Sequence, residues 1–433
     1  MATFDSADPQ IEQATVEEKP KQVAGVIVTG HAFQHMYADG FLILLDPIYH
    51  AFGLSPVSAG ILSSVRQGAG GLLTMGGGFI VDTFSGRRGL LLASSLFAMG
   101  FGYALVAAAP NYGLLLVALA IGSAAGSFWH PVGLGILSTS FPERRALMMS
   151  LHRSAGSIGE VLSAGAIGAA LFLFTWREVL WAMFALMTAV SLVIYLTLSR
   201  LGLGAKATDK RAAGDQIKSI RDLFRNRALP VLLLVSGLRG MADRGFVFFL
   251  PLFIGQAVRL DDPTASAAHV TGVIAFYFLV MSLMAIIVPP MIAMVADILG
   301  RKPVMIAALL GVSVVTVALS FFAELGVTFA ILIAGLGAFR FAIANITQAA
   351  SLDIAEGKRL EGSMIGLLWG NNATWGALSP ALLGGIIAIF GSGDNEFTLL
   401  FPYAVVLTLA ATVAAFFMPN TGKRSDRAPQ VST

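Results

Sequence analysis

About twelve stretches of roughly twenty predominantly apolar residues recur between residues 23 and 418, each closed by a short polar or Gly/Pro turn. Nothing else in the chain constrains its folding as strongly. The hydrocarbon core of a bilayer takes about 20 helical residues to cross, so the stretches read as membrane spans. Their approximate limits are 24–50, 57–81, 89–109, 112–139, 146–174, 178–199, 229–256, 268–295, 303–323, 327–351, 363–390 and 397–418. With 56% hydrophobic and 12% charged residues, the composition is too apolar for a water-soluble globule. Runs such as GLLLVALAIGSAAG are continuously apolar, where a transmembrane barrel would alternate, so the expected class is an all-α polytopic membrane protein.

The first 23 residues carry Asp5, Asp8, Glu12, Glu17 and Glu18 without an apolar core, so they read as a disordered cytoplasmic tail and not as a signal peptide. The chain has no cysteine, which excludes disulfides, thiolate metal sites and thiol catalysis. Its pI near 9.2 is explained by the placement of its basic residues, and nucleic acid is not an expected partner. Of 28 Lys and Arg, 21 fall in the two tails, the loops at Arg87/Arg88, Arg144/Arg145, Arg301/Lys302 and Lys358/Arg359, and the segment 200–227. Only Arg177 and Arg259 fall on the opposite side. The positive-inside rule then puts both termini and the central segment in the cytoplasm.

The segment 200–227 is the longest polar interruption and is expected to link an N-terminal six-helix bundle, 24–199, to a C-terminal one, 228–418, with a tail at 419–433. Residues 217–224 read either as a short amphipathic helix on anionic lipid or as a solvated basic tether. The two halves align at a nearly constant offset. ADGFLILLDP (38–47) faces DRGFVFFLP (243–251), VDTFSGRR (81–88) faces ADILGRK (296–302), and ALMMSLHRSAGSIGEVLS (146–163) faces GSMIGLLWGNNATWGALS (362–379). The expected architecture is therefore two pseudo-symmetric six-helix halves, with a substrate site between them near the midplane.

These loops carry a resemblance to the major facilitator superfamily of secondary transporters, extending over residues 24–418. The pattern is G-x-x-x-D-(R/K)-x-G-(R/K)-(R/K) between the second and third spans, echoed between the eighth and ninth. Here the first copy uses Gly78, Asp82, Gly86, Arg87 and Arg88, one residue longer than the pattern and with Thr83 at the basic position. The second uses Asp297, Gly300, Arg301 and Lys302 and lacks the initial glycine. An aspartate at a helix end can accept from the next helix's amides and pair with a neighbouring arginine, which makes each loop a conformational latch. Within the superfamily, the chain is similar to fosmidomycin-resistance-type transporters at His35 and Asp39, at Phe128-Trp129-His130-Pro131 and at the Gly/Ser-rich stretch 150–159. That resemblance implies a proton-driven carrier and leaves its substrate open.

The charged residues inside the spans sharpen the expectation. On a helix, His31, His35, Asp39 and Asp46 fall within an arc of about 80°, forming one polar stripe in the first span. Charges in lipid cost at least about 2.5–3.5 kcal/mol each on insertion scales, so the stripe should face a water-filled cavity or partners. Arg239 and Asp243 share a stripe in the seventh span with Arg244 about 100° away, and Arg153 and Glu160 share a face of the fifth. Arg66, His130 and Arg340 come from the second, fourth and tenth spans, and Asn371 and Asn372 from the eleventh. Arginine stays charged and binds phosphate, phosphonate or carboxylate through paired hydrogen bonds, so Arg66, His130, Arg153, Arg239, Arg244, Arg340, Asn371 and Asn372 are the substrate-binding candidates. A carboxylate beside a histidine can trade protons near neutral pH. Asp39 is the expected proton carrier and His35 its relay, with His31, Glu160 and Asp243 in support.

Structural alternatives stand beside these roles. Arg153 with Glu160, and Arg239 with Asp243, also read as neutralising pairs. Asp46 reads as a solvated residue near the end of its helix. His130-Pro131 also reads as a packing and kink element. Asn371 and Asn372 also read as interhelical glue among Gly366, Gly370 and Gly376. Arg340 has no acidic residue within one helical turn, which favours substrate over structure. His152 is left out of the site.

The expected function is proton-coupled, alternating-access transport of a small organic anion by a single chain, with no cofactor and no assigned metal. The other readings are a proton-driven multidrug exporter and a non-transporting membrane sensor. No P-loop, HExxH, Gly-x-Ser-x-Gly or dinucleotide fingerprint occurs in a plausible setting, so an enzyme is not expected.

Overall fold

A computed structural model describes residues 20–83, 87–141, 144–200, 224, 226–355, 361–419 and 421. Among the described residues every long element is a helix and there is no strand. The helices are α1 (Pro20–Ala51), α2 (Pro56–Thr83), α3 (Arg88–Ala108), α4 (Tyr112–Ser127), α5 (Trp129–Ser140), α6 (Arg145–Ala170), α7 (Trp176–Arg200), α8 (Ala228–Asp261), α9 (Ala267–Leu299), α10 (Arg301–Phe321), α11 (Val327–Ala355), α12 (Glu361–Phe390) and α13 (Leu400–Phe416). A 3₁₀ turn, Gly393–Leu399, precedes α13.

These elements match the twelve expected spans, with α4 and α5 forming the fourth as two pieces. The interruption falls at Phe128, whose N–H bonds back to the carbonyls of Ala124 and Ala125 at 3.2 Å each. Pro131 follows in α5, and having no N–H it cannot continue the ladder to the carbonyl four residues earlier. Nine described segments are long and apolar enough to cross a membrane. The remaining long helices, α1, α2 and α6, have 32, 28 and 26 residues and carry the intramembrane charges of the N-terminal half.

The surface is apolar where a soluble protein's would be polar. Leu173, Phe321 and Ile298 are among many large aliphatic and aromatic side chains left outside, which suits contact with lipid tails. The interior holds His31, Asp46, Glu160 and Arg239 together with numerous Ser and Thr. Most of those hydroxyls bond to main-chain carbonyls. Ser95 donates to Ala125 O and Ser191 to Ala93 O, both at 2.6 Å, joining α3 to α4 and α7.

The contacts divide the chain into two compact units. One contains Leu72–Ser163, together with the described residues up to Gly40 and those from Thr175 to Arg200. Within it α3 packs on α4 and α7, and Gly102 meets Gly122 so closely that a Cβ on Gly102 would stand 2.4 Å from the Gly122 Cα. The other contains Phe41–Gly71, Ala164–Phe174 and the described residues from 224 onward. Within it α8 packs on α12 and α13, α9 on α11, and α10 on α11 and α13. Gly300, with φ of 92°, turns the chain from α9 into α10, a backbone conformation that favours glycine.

Candidate functional site

The first unit gathers four histidines and two carboxylates from α1, α5 and α6. The α1 stripe supplies His31, His35 and Asp39, one helical turn apart. His35 Nδ1 lies 3.0 Å from Asp39 Oδ2 and 3.5 Å from Glu160 Oε1 of α6. One imidazole therefore serves two carboxylates, of which Glu160 is buried and Asp39 is about a third exposed. This contact depends on glycine. A Cβ on Gly159 would lie 2.1 Å from Ala32 O and 2.9 Å from His35 Cβ, so α6 can approach α1 only where the side chain is missing.

Behind His35 the rings continue inward. His31 stacks face to face on His152, with centroids 3.6 Å apart and planes 9° off parallel. His130, on the first turn of α5, stands edge-on to His31 at 5.1 Å. Sequence reasoning omits His152 because it lies close to the basic loop that begins α6, yet its ring is buried in the middle of this cluster. Arg153, its neighbour in sequence, turns to the exposed face of α6, while Glu160 turns inward toward His35.

The second unit gathers arginines. Arg340 of α11 donates from Nε to Asp243 Oδ1 at 2.5 Å and from Nη2 to Oδ2 at 3.1 Å. Arg239, one turn before Asp243 on α8, lies 3.9 Å from the same carboxylate and donates to the Arg340 carbonyl at 3.2 Å. On its own helix Arg340 has no acid within a turn. Its partner lies 97 positions away, on another helix. A cavity of about 30 Å³ adjoins Arg239, Asp243 and Arg340 and has room for about one water. Arg244 is exposed on α8, away from this stripe.

Asp46 also departs from expectation. It is buried, and it is gripped by Arg259 of α8 at 3.1 Å and 2.5 Å, with His50 Nε2 at 3.6 Å. The reading of a solvated helix-end residue is corrected, because Arg259 comes from the far end of α8 to neutralise it. Arg66 of α2 sits over the Phe41 ring at 5.1 Å, a cation–π distance. The Asn371 amide donates to Leu233 O at 2.9 Å and its carbonyl accepts from Trp375 Nε1 at 3.2 Å, so both ends of the side chain make interhelical or local bonds. The Oδ1 of Asn372 is buried against Gly240 with no hydrogen-bond partner among the described residues.

Of the two latch loops, the second is described. Arg301 bridges Asp297, one turn earlier, and Asp353 of α11, which accepts from its Nε at 3.2 Å. In the first loop Arg87 is exposed and Arg88 is buried at the start of α3. Gly78 and Asp82 belong to α2, their side-chain surroundings lying outside what is described, and Gly86 lies outside the described residues. Most of the 217–224 segment does so as well.

Residues 27–289 match the family model of the Major Facilitator Superfamily, which is well over half of the chain. The protein is a major facilitator. It is thus a multi-pass membrane transporter of the secondary class and not an enzyme. Over 176 residues, 39% of this chain, it is 28% identical to the uncharacterized MFS-type transporter YcnB of Bacillus subtilis (strain 168), and the match spans only 36% of that protein's length. Its fold is similar to that of the nucleoside transporter NupG, with a TM-score of 0.72 and 15% identity, covering 92% of this chain and 98% of that one. It is also similar to a bacterial homologue of the human lysosomal transporter Spinster, with a TM-score of 0.67 and 14% identity over 92% and 94% of the two chains. At such identities these likenesses speak to the fold and leave the cargo open.

Proposed function

We propose that this major facilitator couples proton movement to the transport of a small organic anion, such as a phosphonate, organophosphate or carboxylate. The observation that carries this reading is the charge count at the α8–α11 cluster. Two guanidiniums converge on the one carboxylate of Asp243, so Arg239, Asp243 and Arg340 sum to one net positive charge in a membrane interior. An anion that takes hydrogen bonds from either guanidinium balances that charge, and arginine's planar fork matches its oxygens. Arg244 and Arg66 add further positive charge among the candidates.

Proton coupling belongs to the α1–α6 cluster. His35 Nδ1 hydrogen-bonds Asp39 at 3.0 Å and stands 3.5 Å from Glu160, so the imidazole is placed to carry a proton between the two carboxylates after a small closure toward Glu160. The relay draws on spans one and five, while the anion cluster draws on spans seven and ten, so each half contributes one of the two coupled functions. The transporter works as a single chain in a cytoplasmic membrane with both termini inside, since the basic loops lie on that side.

The deciding experiment is substrate-induced thermal stabilisation of the purified protein against phosphonates, sugar phosphates, carboxylates and hydrophobic cations, followed by flux of the best ligand into proteoliposomes. An anion that stabilises wild type but not Arg340→Lys, and that accumulates under an imposed proton gradient, is the expected result. Stabilisation by cations alone overturns the anion reading, and flux indifferent to the gradient overturns proton coupling.

A further inference from the structure

We infer that the first unit contains a binding site for a divalent transition-metal ion of the zinc, cobalt and nickel class, with His31, His130 and His152 as its nitrogen ligands. One ligand nitrogen from each of these three residues lies within 4.8 Å of the others. A tetrahedral ion with metal–nitrogen bonds of about 2.0–2.1 Å holds its ligand atoms about 3.4 Å apart. Reorientation of the imidazole rings would bring the three nitrogens onto one ion.

The hydrogen-bond inventory points to a ligand that the protein does not itself supply. His31 is 2% exposed and His152 is 4% exposed. Among the described residues, His31 Nδ1 and both ring nitrogens of His152 are buried without a hydrogen-bond partner. Buried polar atoms are normally satisfied, and leaving three orphaned in one spot is costly. The stacking explains why the rings cannot satisfy one another. A hydrogen bond to an imidazole nitrogen lies in the ring plane, and planes 9° from parallel at 3.6 Å carry their nitrogens side by side. For one ion to take both lone pairs, the His31 and His152 rings must turn out of the stack until their planes converge on it, with His130, already edge-on to His31, completing the set.

The donor chemistry selects the metal. Three imidazoles and no thiolate suit Zn²⁺, Co²⁺ or Ni²⁺, whereas Mg²⁺ and Ca²⁺ require oxygen ligands. The ion's charge has a counterweight close by. His35 lies 4.6 Å from His31, ring to ring, and carries Asp39 and Glu160 with it. An ion here would tie α1, α5 and α6 together next to the proposed proton relay. The site rests on its own geometry and does not depend on the cargo being an anion.

The test is Co²⁺ titration of tag-free wild-type protein in detergent, read by the visible bands of tetrahedral cobalt. One Co²⁺ per chain, displaced by Zn²⁺, is expected. His152→Phe keeps an aromatic ring against His31 but removes both nitrogens, and it should weaken binding more than about tenfold. His269→Gln, on the first turn of α9, should not. X-ray absorption on the wild-type complex counts imidazole ligands independently of any variant and should find three. The inference fails if wild type takes up no Co²⁺, if fewer than three imidazoles surround the ion, or if folded His152→Phe binds as tightly as wild type.

Discussion

Arg340 and Asp243, on α11 and α8, are joined by two near-parallel hydrogen bonds of 2.5 and 3.1 Å, and neither side chain is more than 17% exposed. Removing one member of such a pair leaves the other charge buried with a weaker partner. Arg340→Ala should destabilise the protein by about 3 kcal/mol, the lower end of the range for a broken buried pair, because Arg239 stays close to Asp243. The double variant Arg340→Ala/Asp243→Ala should recover much of that loss in thermal unfolding. If the two changes are simply additive, the pair contributes no coupling energy.

Arg340→Lys separates structure from recognition. It keeps the charge but loses the fork, so stability should fall less than in the alanine variant while anion affinity falls at least about tenfold. Ligand-induced thermal shifts on both variants report the difference.

At the His35 relay, Asp39→Asn removes a titratable oxygen while preserving shape. Proton-driven accumulation should be abolished and substrate counterflow exchange retained, because exchange returns the carrier loaded and needs no net proton movement. Proteoliposomes assayed in both modes distinguish the outcomes, and loss of neither activity rules out Asp39 as the carrier.

Gly159→Ala should be more harmful than a surface substitution of the same size. The added methyl meets the Ala32 carbonyl and His35 at once, pushing α6 off α1. Overpacking of this kind costs about 1–3 kcal/mol, and the widened gap should also slow proton-coupled uptake. Gly165→Ala on the same helix meets nothing within 4 Å and serves as the control.

Asp46 and Arg259 tie α1 to α8, and Arg259 is a third exposed while Asp46 is almost fully buried. Arg259→Ala should therefore cost about 2 kcal/mol, most of it from the stranded carboxylate, and adding Asp46→Asn should return part of it. The chain has no cysteine, so Asp46→Cys/Gly255→Cys can be oxidised without background. A Cβ at 255 would lie 2.9 Å from the Asp46 carboxyl carbon. If α1 and α8 must separate here during alternating access, oxidation should stop transport and reductant should restore it.

The spans were legible in the sequence because their cause is local. A run of about twenty apolar residues is needed wherever a helix crosses the bilayer, so each expected span lies within a few residues of a helix end, from α1 through α13. The family signal is also local, in the turns around Asp82 and Asp297. The His35–Asp39 contact follows from spacing alone, since four residues make about one turn.

What spacing could not reveal is which helix face meets which. Arg340 finds Asp243 across 97 residues and Asp46 finds Arg259 across 213, and on its own helix Arg340 has no acid within a turn. His152 is hidden from a sequence reading because its neighbours there are a basic loop, while its stacking partner His31 belongs to the first helix. Sequence alone determined that this chain crosses a membrane many times as a major facilitator, because apolar run length and turn motifs are written along the chain. Only the tertiary structure decided how the charges pair and that four histidines converge, because the rotation and contact of each helix are set by packing against helices remote in sequence.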